Sequence, residues 1–137
     1  MPDVAAGVYS VWQGNTFLYV GMSGQGLTEN GIASLREEGA KGRGLWNRLK
    51  SHASGSRAGD QFCIYICDRL VLPRLSADEL RKIGAGRLSL DQLTRHFIHD
   101  NLTYRFAVVR DGDEALKLEA EIKRGALPQG LPLLNPG

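Results

Sequence analysis

Two short segments near the start of the chain constrain its fold more than any other feature. Gly7-Val8-Tyr9 and Tyr19-Val20-Gly21 lie in runs rich in β-branched and aromatic residues, separated by the turn-forming Gln13-Gly14-Asn15. This pattern predicts a β-hairpin. A three-residue loop would pair Tyr9 with Tyr19 and place both rings on one face, whereas a two-residue loop would shift the register by one. Two hydroxyl-bearing rings on one rigid face can form part of a site for phosphate chemistry.

The rest of the chain predicts an α+β fold, with a small, central, mainly antiparallel sheet flanked by helices. At 137 residues, a single domain is expected. Ser76 followed by Glu79 is a capping-box pattern. The predicted elements are strands at 6–12 and 16–21, a glycine-rich loop at 22–44 with one helical turn around Ile32–Glu38, a helix at 45–54, a strand at 61–67, a helix capped by Ser76, a helix from Ser89 to about Asn101, a strand at 103–109, and a helix capped by Asp111 or Asp113 that ends near Arg124.

Composition excludes several classes of protein. No apolar run approaches the ~18 residues of a membrane span, and the N-terminus carries no charged-then-apolar leader. We therefore expect a cytoplasmic protein with no membrane partner. Cys63 and Cys67 would lie roughly 13 Å apart on the predicted strand, too far for a disulfide. Because no second Cys/His pair has matching spacing, we expect buried, reduced thiols rather than a zinc site.

Charge is distributed unevenly, although the formal net charge is only +2. Five basic residues and no acidic residue lie between Lys41 and Gly59, whereas five acids and one lysine lie between Asp111 and Glu121. The two segments can form two halves of a site, one that holds phosphate and one that holds a metal ion. The alternative is two solvated helix faces.

The last predicted helix has a carboxylate on its apolar side. A stripe of small and aliphatic side chains runs from Ala115 through Leu118 and Ile122 to Ala126, and Glu119 falls within it. A carboxylate facing the core costs free energy unless it is paired or bound to a metal. The alternative is that Glu119 reaches the edge of the stripe and pairs with Lys123, its i+4 neighbour.

The predicted helix at 45–54 carries a second signal. Arg48 and His52 share one face with Leu45 and Leu49, so both polar side chains can reach a cleft together. Arginine suits this position because its guanidinium binds phosphate oxygens in a bidentate manner. The alternative is an ordinary half-buried amphipathic helix.

Taken together, these segments resemble the GIY-YIG nuclease family. Five elements of the family pattern occur in order and span Gly7 to Asn135, nearly the whole chain. The sequence departs from the pattern by insertions at about 22–44 and 68–102, and the first insertion leaves Arg43 as an alternative to Arg48. The matching elements are Gly7-Val8-Tyr9 and Tyr19-Val20-Gly21, each with valine for isoleucine, then Arg48 to His52, Glu114 to Glu119 and Leu134-Asn135.

The resemblance implies a metal-dependent endonuclease that hydrolyses phosphodiester bonds with one Mg²⁺ or Mn²⁺ ion. Glu119 would bind the metal, since hard cations favour carboxylate and water. Tyr9 would be the general base for the attacking water. Arg48 would hold the phosphate and offset developing charge, while Tyr19 and His52 would orient water and phosphate.

The resemblance also implies a nucleic-acid partner, with DNA favoured over RNA, and a protein partner could supply targeting. Two alternatives remain open: a nucleic-acid-binding module that has lost catalysis, and a protein-interaction subunit whose basic patch binds an acidic partner. The glycines of the two tyrosine motifs would let backbone and substrate approach closely. The residues expected to contact nucleic acid are Gly7, Gly21, Lys41, Arg43, Lys50, Arg57 and Asn135.

Overall fold

The first strand of the hairpin lies at the centre of a four-stranded sheet, the second strand lies at its edge, and the fold is α+β, as predicted. The computed structural model describes all 137 residues, which divide into two compact units. The first unit contains Met1–Leu49 and Thr103–Gly137, and the second contains Lys50–Leu102. The elements are β1 (Val4–Gln13), β2 (Thr16–Ser23), α1 (Glu29–Glu37), β3 (Arg43–Gly44), α2 (Leu45–Ala53), α3 (Gln61–Ile66), a π-helical turn (Cys67–Val71), a 3₁₀ turn (Leu72–Arg74), α4 (Ala77–Gly84), α5 (Leu90–Asn101), β4 (Leu102–Val109) and α6 (Gly112–Lys123).

The hairpin takes the shorter of the two loops that the sequence left open. The loop has two residues, Gly14 and Asn15, and a bulge at Val11/Trp12 then shifts the pairing by one residue. As a result Tyr9 lies opposite Gly21, and Tyr19 lies opposite Val11. The Tyr9–Tyr19 pairing expected for a three-residue loop is therefore absent, but the bulge restores the alternation, so both rings still project from one face.

The two faces of the sheet pack against different elements. One face, called here the α6 face, carries Val8, Trp12 and Val20, which form a core cluster with α6. Further along the same face Val4 and Ala6 pack against α1. The opposite face, called here the tyrosine face, carries Gly7, Tyr9 and Tyr19. The start of α2 covers part of it, because Leu45 lies against Gly7.

The segment at 61–67 is helical, so the predicted strand there is wrong. Its β-branched and aromatic composition favoured a strand, but the Asp60 side chain caps the helix by accepting a hydrogen bond from the Cys63 N–H at 3.1 Å. Burial of Phe62, Cys63, Ile66 and Cys67 then follows helical spacing. The two cysteines lie about one helical turn apart, and both are free and buried.

The segment at 22–44 contains more structure than the predicted loop. Thr28 caps the nine-residue helix α1, and two residues of β3 pair in parallel with β1. The sequence shows little apolar periodicity over α1 because Ile32 is the only buried residue of this helix. The remaining helices and β4 were predicted correctly to within a few residues, including the capping box of Ser76 and Glu79 and the Asp111 cap of α6. None of the six α-helices is long and apolar enough to cross a membrane.

Candidate active site

The two tyrosines form a stacked pair on the tyrosine face. Their ring centroids are 6.3 Å apart with an interplanar angle of 28°. Tyr9 is 2% exposed, whereas Tyr19 is partly exposed. The Tyr9 ring lies across Gly21 so closely that a Cβ at that position would collide with the hydroxyl end of the ring. Glycine is therefore required at position 21 to seat the Tyr9 ring.

Gly7 has a similar explanation on the same face. A Cβ at Gly7 would collide with the carbonyl oxygen of Ala107 in β4 and with the side chain of Leu45 at the start of α2. The space beside Gly7 and Gly21 is thus filled by the protein's own atoms. Both glycines permit close packing around the tyrosine pair.

Arg48 follows Leu45 by one helical turn, so the two residues share one side of α2. Since Leu45 is buried against Gly7, that side of the helix begins over the tyrosine face. Arg48 itself is exposed, and it forms no salt bridge. Its guanidinium is consequently available to an anion from solution. Arg43 is also exposed, whereas Lys41 pairs with Asp3 at 3.2 Å.

Glu119 adopts the alternative that the sequence left open. Its side chain is 16% exposed, and its Oε1 lies 3.5 Å from the Nζ of Lys123. This separation exceeds the roughly 2.7–2.9 Å of a strong charge-assisted hydrogen bond. No protein hydrogen bond to either carboxylate oxygen is present. Glu119 is thus a mostly buried carboxylate with one distant cationic partner and unused acceptor capacity. Ala126, predicted on the same stripe, lies beyond the helix and is exposed.

A C-terminal tail, Leu133–Gly137, connects α6 with β2. Asn135 binds both backbone groups of Val20: Oδ1 accepts from the N–H at 3.1 Å, and Nδ2 donates to the carbonyl at 2.6 Å. Two residues later, the Gly137 N–H donates to the Lys123 carbonyl at 3.1 Å. Two residues span at most about 7 Å, so the tail holds the Lys123 turn of α6 beside the outer edge of β2.

This connection defines how the tyrosines and Glu119 are related. The tyrosines project from the tyrosine face, while α6 packs on the opposite face. Glu119 and Lys123 lie on the side of α6 to which the tail is bound. The outer edge of β2 therefore lies between the tyrosine face and the side of α6 that carries Glu119. Asn135 occupies that edge and binds both backbone groups of Val20, so it closes the edge.

His52 belongs to the second unit, where it is buried as predicted. Its Nδ1 lies 2.7 Å from Oδ2 of Asp60, and both side chains are at most 7% exposed. Burial by itself raises the pKa of Asp60, but the hydrogen bond and charge of His52, together with the Cys63 N–H, outweigh it and lower the pKa overall. Sequence reasoning missed Asp60 because 61–67 was assigned to a strand. An Asp before an apolar helix is a capping signal.

In the second unit, Arg57 and Cys63 also interact with neighbouring protein groups. Arg57 Nε lies 2.6 Å from Oδ1 of Asp91, and the hydrogen bond between them raises the pKa of Arg57 and lowers that of Asp91. Burial, with the nearby Asp60 charge, raises the pKa of the Cys63 thiol to about 12, so this thiol is not a nucleophile at neutral pH. Of the basic residues predicted to hold phosphate in this unit, Arg57 is therefore held by a carboxylate, whereas Lys50 is exposed.

No group of three or more His, Cys, Asp or Glu side chains comes together in the structure. A metal ion at this site would therefore rest on one carboxylate, that of Glu119. Such a donor set fits Mg²⁺, which commonly keeps several waters and is bound by one or two carboxylates together with substrate phosphates. The unused acceptor capacity of Glu119 agrees with this mode of binding.

Comparison with known proteins gives no match: no protein-family model, no curated protein and no solved structure matches the chain. The likeness to GIY-YIG nucleases consequently depends on the five sequence segments described above. Structural support for a function therefore comes only from the geometry of the tyrosine pair, Arg48, Glu119 and the tail.

Proposed function

We propose that the protein is a metal-dependent endonuclease that hydrolyses phosphodiester bonds of nucleic acid, with DNA the favoured substrate, by a one-metal mechanism of the GIY-YIG type. The observation that carries this proposal is the stacked tyrosine pair, in which the Tyr9 ring lies across Gly21. That contact gives a physical reason for a tyrosine and a glycine on facing strands. It also fixes two hydroxyl-bearing rings next to each other on one rigid surface.

The tyrosines supply the proton chemistry in this proposal. Tyr9 accepts the proton of the attacking water, and Tyr19 orients that water. A tyrosine has an ordinary pKa near 10, so neighbouring cations must favour its phenolate form. Because Tyr19 is the more exposed ring, it is the second candidate for the base, and the two roles are separable by experiment.

Arg48 and Glu119 supply the charges. Arg48 is exposed without a carboxylate partner, so its guanidinium can bind a phosphate oxygen and offset the charge that develops during hydrolysis. Glu119 would hold the Mg²⁺ or Mn²⁺ ion, which when bound polarises the phosphate and stabilises the leaving oxygen. The Lys123 Nζ, 3.5 Å from Oε1 of this carboxylate, is the group that a metal ion would displace.

Incubation of supercoiled plasmid with the protein and Mg²⁺ tests the proposal. Cutting supports an endonuclease. Binding without cutting would indicate the inactive module. If the protein neither binds nor cuts the plasmid, that outcome would favour a protein-interaction subunit.

Single-turnover pH–rate profiles then separate the tyrosines. Tyr9→Phe keeps the ring that covers Gly21 and should remove most of the activity, including at raised pH. The rate of the wild-type protein should rise with pH below the apparent pKa of the base. Tyr65→Phe, in the second unit, serves as the matched control. An unaltered profile for Tyr9→Phe would exclude Tyr9 as the base, and loss confined to Tyr19→Phe would assign that role to Tyr19.

A further inference from the structure

Strand β4 exposes a row of large apolar side chains. Tyr104, Phe106 and Val108 are 55%, 40% and 44% exposed, respectively. Successive side chains of a strand point to opposite faces, so these three residues share one face. Such a row on a strand is unusual, because large apolar side chains on one face of a sheet are ordinarily covered.

Contacts of the intervening residues identify that face. Val109 packs against the core clusters beneath α6 and α1. The guanidinium of Arg105 stacks on the ring of Trp12, 4.5 Å from its centroid, and Trp12 belongs to the α6 face. Since Arg105 and Val109 lie on the α6 face, Tyr104, Phe106 and Val108 project from the other one. β4 pairs with β1, so the exposed row shares the tyrosine face with the candidate active site.

The two aromatic rings are arranged to receive flat ligands. Their centroids are 6.4 Å apart and their planes are inclined by 31°, so each ring keeps an open face. A nucleobase that stacks on an exposed aromatic ring commonly improves affinity by about 5- to 150-fold. Bases within a duplex are already stacked on their neighbours, whereas bases of a single strand are available to protein side chains.

The charges of β4 also fit a nucleic-acid strand. The segment 102–110 contains Arg105 and Arg110 and no acidic residue. Arg105 forms no salt bridge, and Arg110 is 64% exposed although Asp111 and Glu114 lie near it. Arg105 attracts phosphates from the opposite face of the strand, where it stacks on Trp12, so the exposed rings themselves carry the contact with the bases.

We propose that Tyr104 and Phe106 form a stacking surface for unpaired bases, so that the substrate contains a single-stranded segment, as flaps, forks and gaps do. This inference rests on the proposed nuclease function for its catalytic consequence. The binding of single strands does not depend on cleavage. A strand held on β4 lies on the same face of the sheet as Tyr9 and Tyr19, which directs its backbone toward the candidate base.

The test measures fluorescence anisotropy of a labelled oligothymidine and of a blunt duplex, both in EDTA. The double variant Tyr104→Ala/Phe106→Ala should bind the single strand at least about 10-fold more weakly, with less than about a twofold change for the duplex. The control Leu116→Ala/Leu131→Ala removes two side chains of similar exposure, 49% and 55%, elsewhere in the first unit. It should change neither affinity.

Unchanged single-strand affinity in the double variant, or equal losses on both ligands, would overturn the inference. If the alanine variant fails to fold, Tyr104→Leu/Phe106→Leu keeps the apolar packing and removes only the rings. Light scattering supplies one more outcome: a wild-type dimer that becomes monomeric in the variant, with single-strand affinity retained, would assign the row to self-association.

Cleavage in Mg²⁺ separates this inference from the proposed function. The ratio of kcat/KM for a flap to that for a duplex should fall in the double variant. A wild-type protein that binds single strands through these rings but cuts nothing would refute the nuclease and retain the stacking surface. If the wild-type protein cuts and the double variant leaves the flap-to-duplex ratio unchanged, the nuclease would be retained and the stacking surface refuted.

Discussion

Glu119 in the first unit and Asp60 in the second are both mostly buried carboxylates next to a basic side chain, but their surroundings differ. Asp60 accepts hydrogen bonds from the Cys63 N–H and from Ser51, and it lies 2.7 Å from His52. Glu119 has only Lys123, at 3.5 Å, and no hydrogen bond from the protein. The protein supplies hydrogen-bond donors to the Asp60 carboxylate, whereas the Glu119 carboxylate can still accept further hydrogen bonds or bind a cation.

The same contrast holds for two arginines. Arg57 is held at 2.6 Å by Asp91, whereas Arg48 is exposed and forms no salt bridge. Charged groups with complete partners stabilise the fold, and those without them are available to a ligand. Substitutions of Asp60 should therefore change stability more than rate, and substitutions of Glu119 and Arg48 should do the opposite.

The largest effect is expected for Glu119→Gln. Glutamine keeps the size of the side chain but weakens metal binding, so the single-turnover cleavage rate should fall by at least about 10³-fold, since metal stabilisation of the transition state is worth several kcal/mol. Thermal unfolding should shift little. Glu121→Gln, an exposed change on the same helix, is the control and should be nearly silent. Near-normal cleavage by Glu119→Gln at moderate Mg²⁺ would remove Glu119 from the site.

Arg48→Ala should have the next largest effect. Loss of a group that binds the transition state typically lowers the rate by roughly 10²–10³-fold, whereas affinity for nucleic acid should change much less. The measurement is single-turnover cleavage beside equilibrium binding, with Arg43→Ala as the control. If Arg43→Ala is the more damaging change, the family pattern continues through Arg43 instead.

Asp60→Asn should reduce stability with little change in rate. It removes the charge that His52 contacts while keeping the shape of the side chain, which should lower the free energy of unfolding by about 2–3 kcal/mol. The pKa of Asp60 lies below its ordinary value of 3.8 in the folded state. Its contribution is therefore present above the unfolded-state pKa and is lost as the pH falls through the lower folded pKa.

Urea unfolding from neutral to acidic pH checks this prediction. The stability difference between the wild-type protein and Asp60→Asn should shrink on acidification, because the wild-type carboxyl group becomes protonated. A large loss of cleavage rate in Asp60→Asn, with a shifted pH–rate profile, would contradict the comparison. Such a result would show that Asp60 positions His52 to orient water and phosphate, which is the role that the family resemblance implies for His52.

The sequence predicted most of the fold where local signals agree with tertiary packing. The capped helices after Ser76, Ser89 and Asp111 were found because side-chain caps are local. The strand predicted at 61–67 was wrong because the composition of this segment favours a strand, while the Asp60 cap and the burial pattern favour a helix. The hairpin register could not be predicted, since a bulge adds a residue without any marker in the sequence.

The candidate site was predictable in its residue types but not in its contacts. Burial of Tyr9 across Gly21 gives a reason for the motif that the sequence alone does not contain. The exposure of Arg48 and the closure of the β2 edge by Asn135 depend on how distant segments pack, 115 residues apart in the case of Asn135 and Val20. Helical periodicity indicates a side of a helix, but it does not tell which sides the rest of the chain covers.

The smallest effect is expected for Lys123→Met, which tests the loose pairing of Glu119. Methionine keeps the apolar stem that contacts Gly137 and removes only the charge. Because the ammonium group and a divalent cation compete for one carboxylate, Mn²⁺ affinity should rise by about fivefold, the upper range for a partly exposed ion pair. Electron paramagnetic resonance of free Mn²⁺ measures this affinity without any substrate. Lys117→Met, an exposed change on the same helix, should leave it unaltered. Weaker Mn²⁺ binding in Lys123→Met would mean that Lys123 holds Glu119 in its binding position, and the contrast with the tightly held Asp60 would then be one of degree.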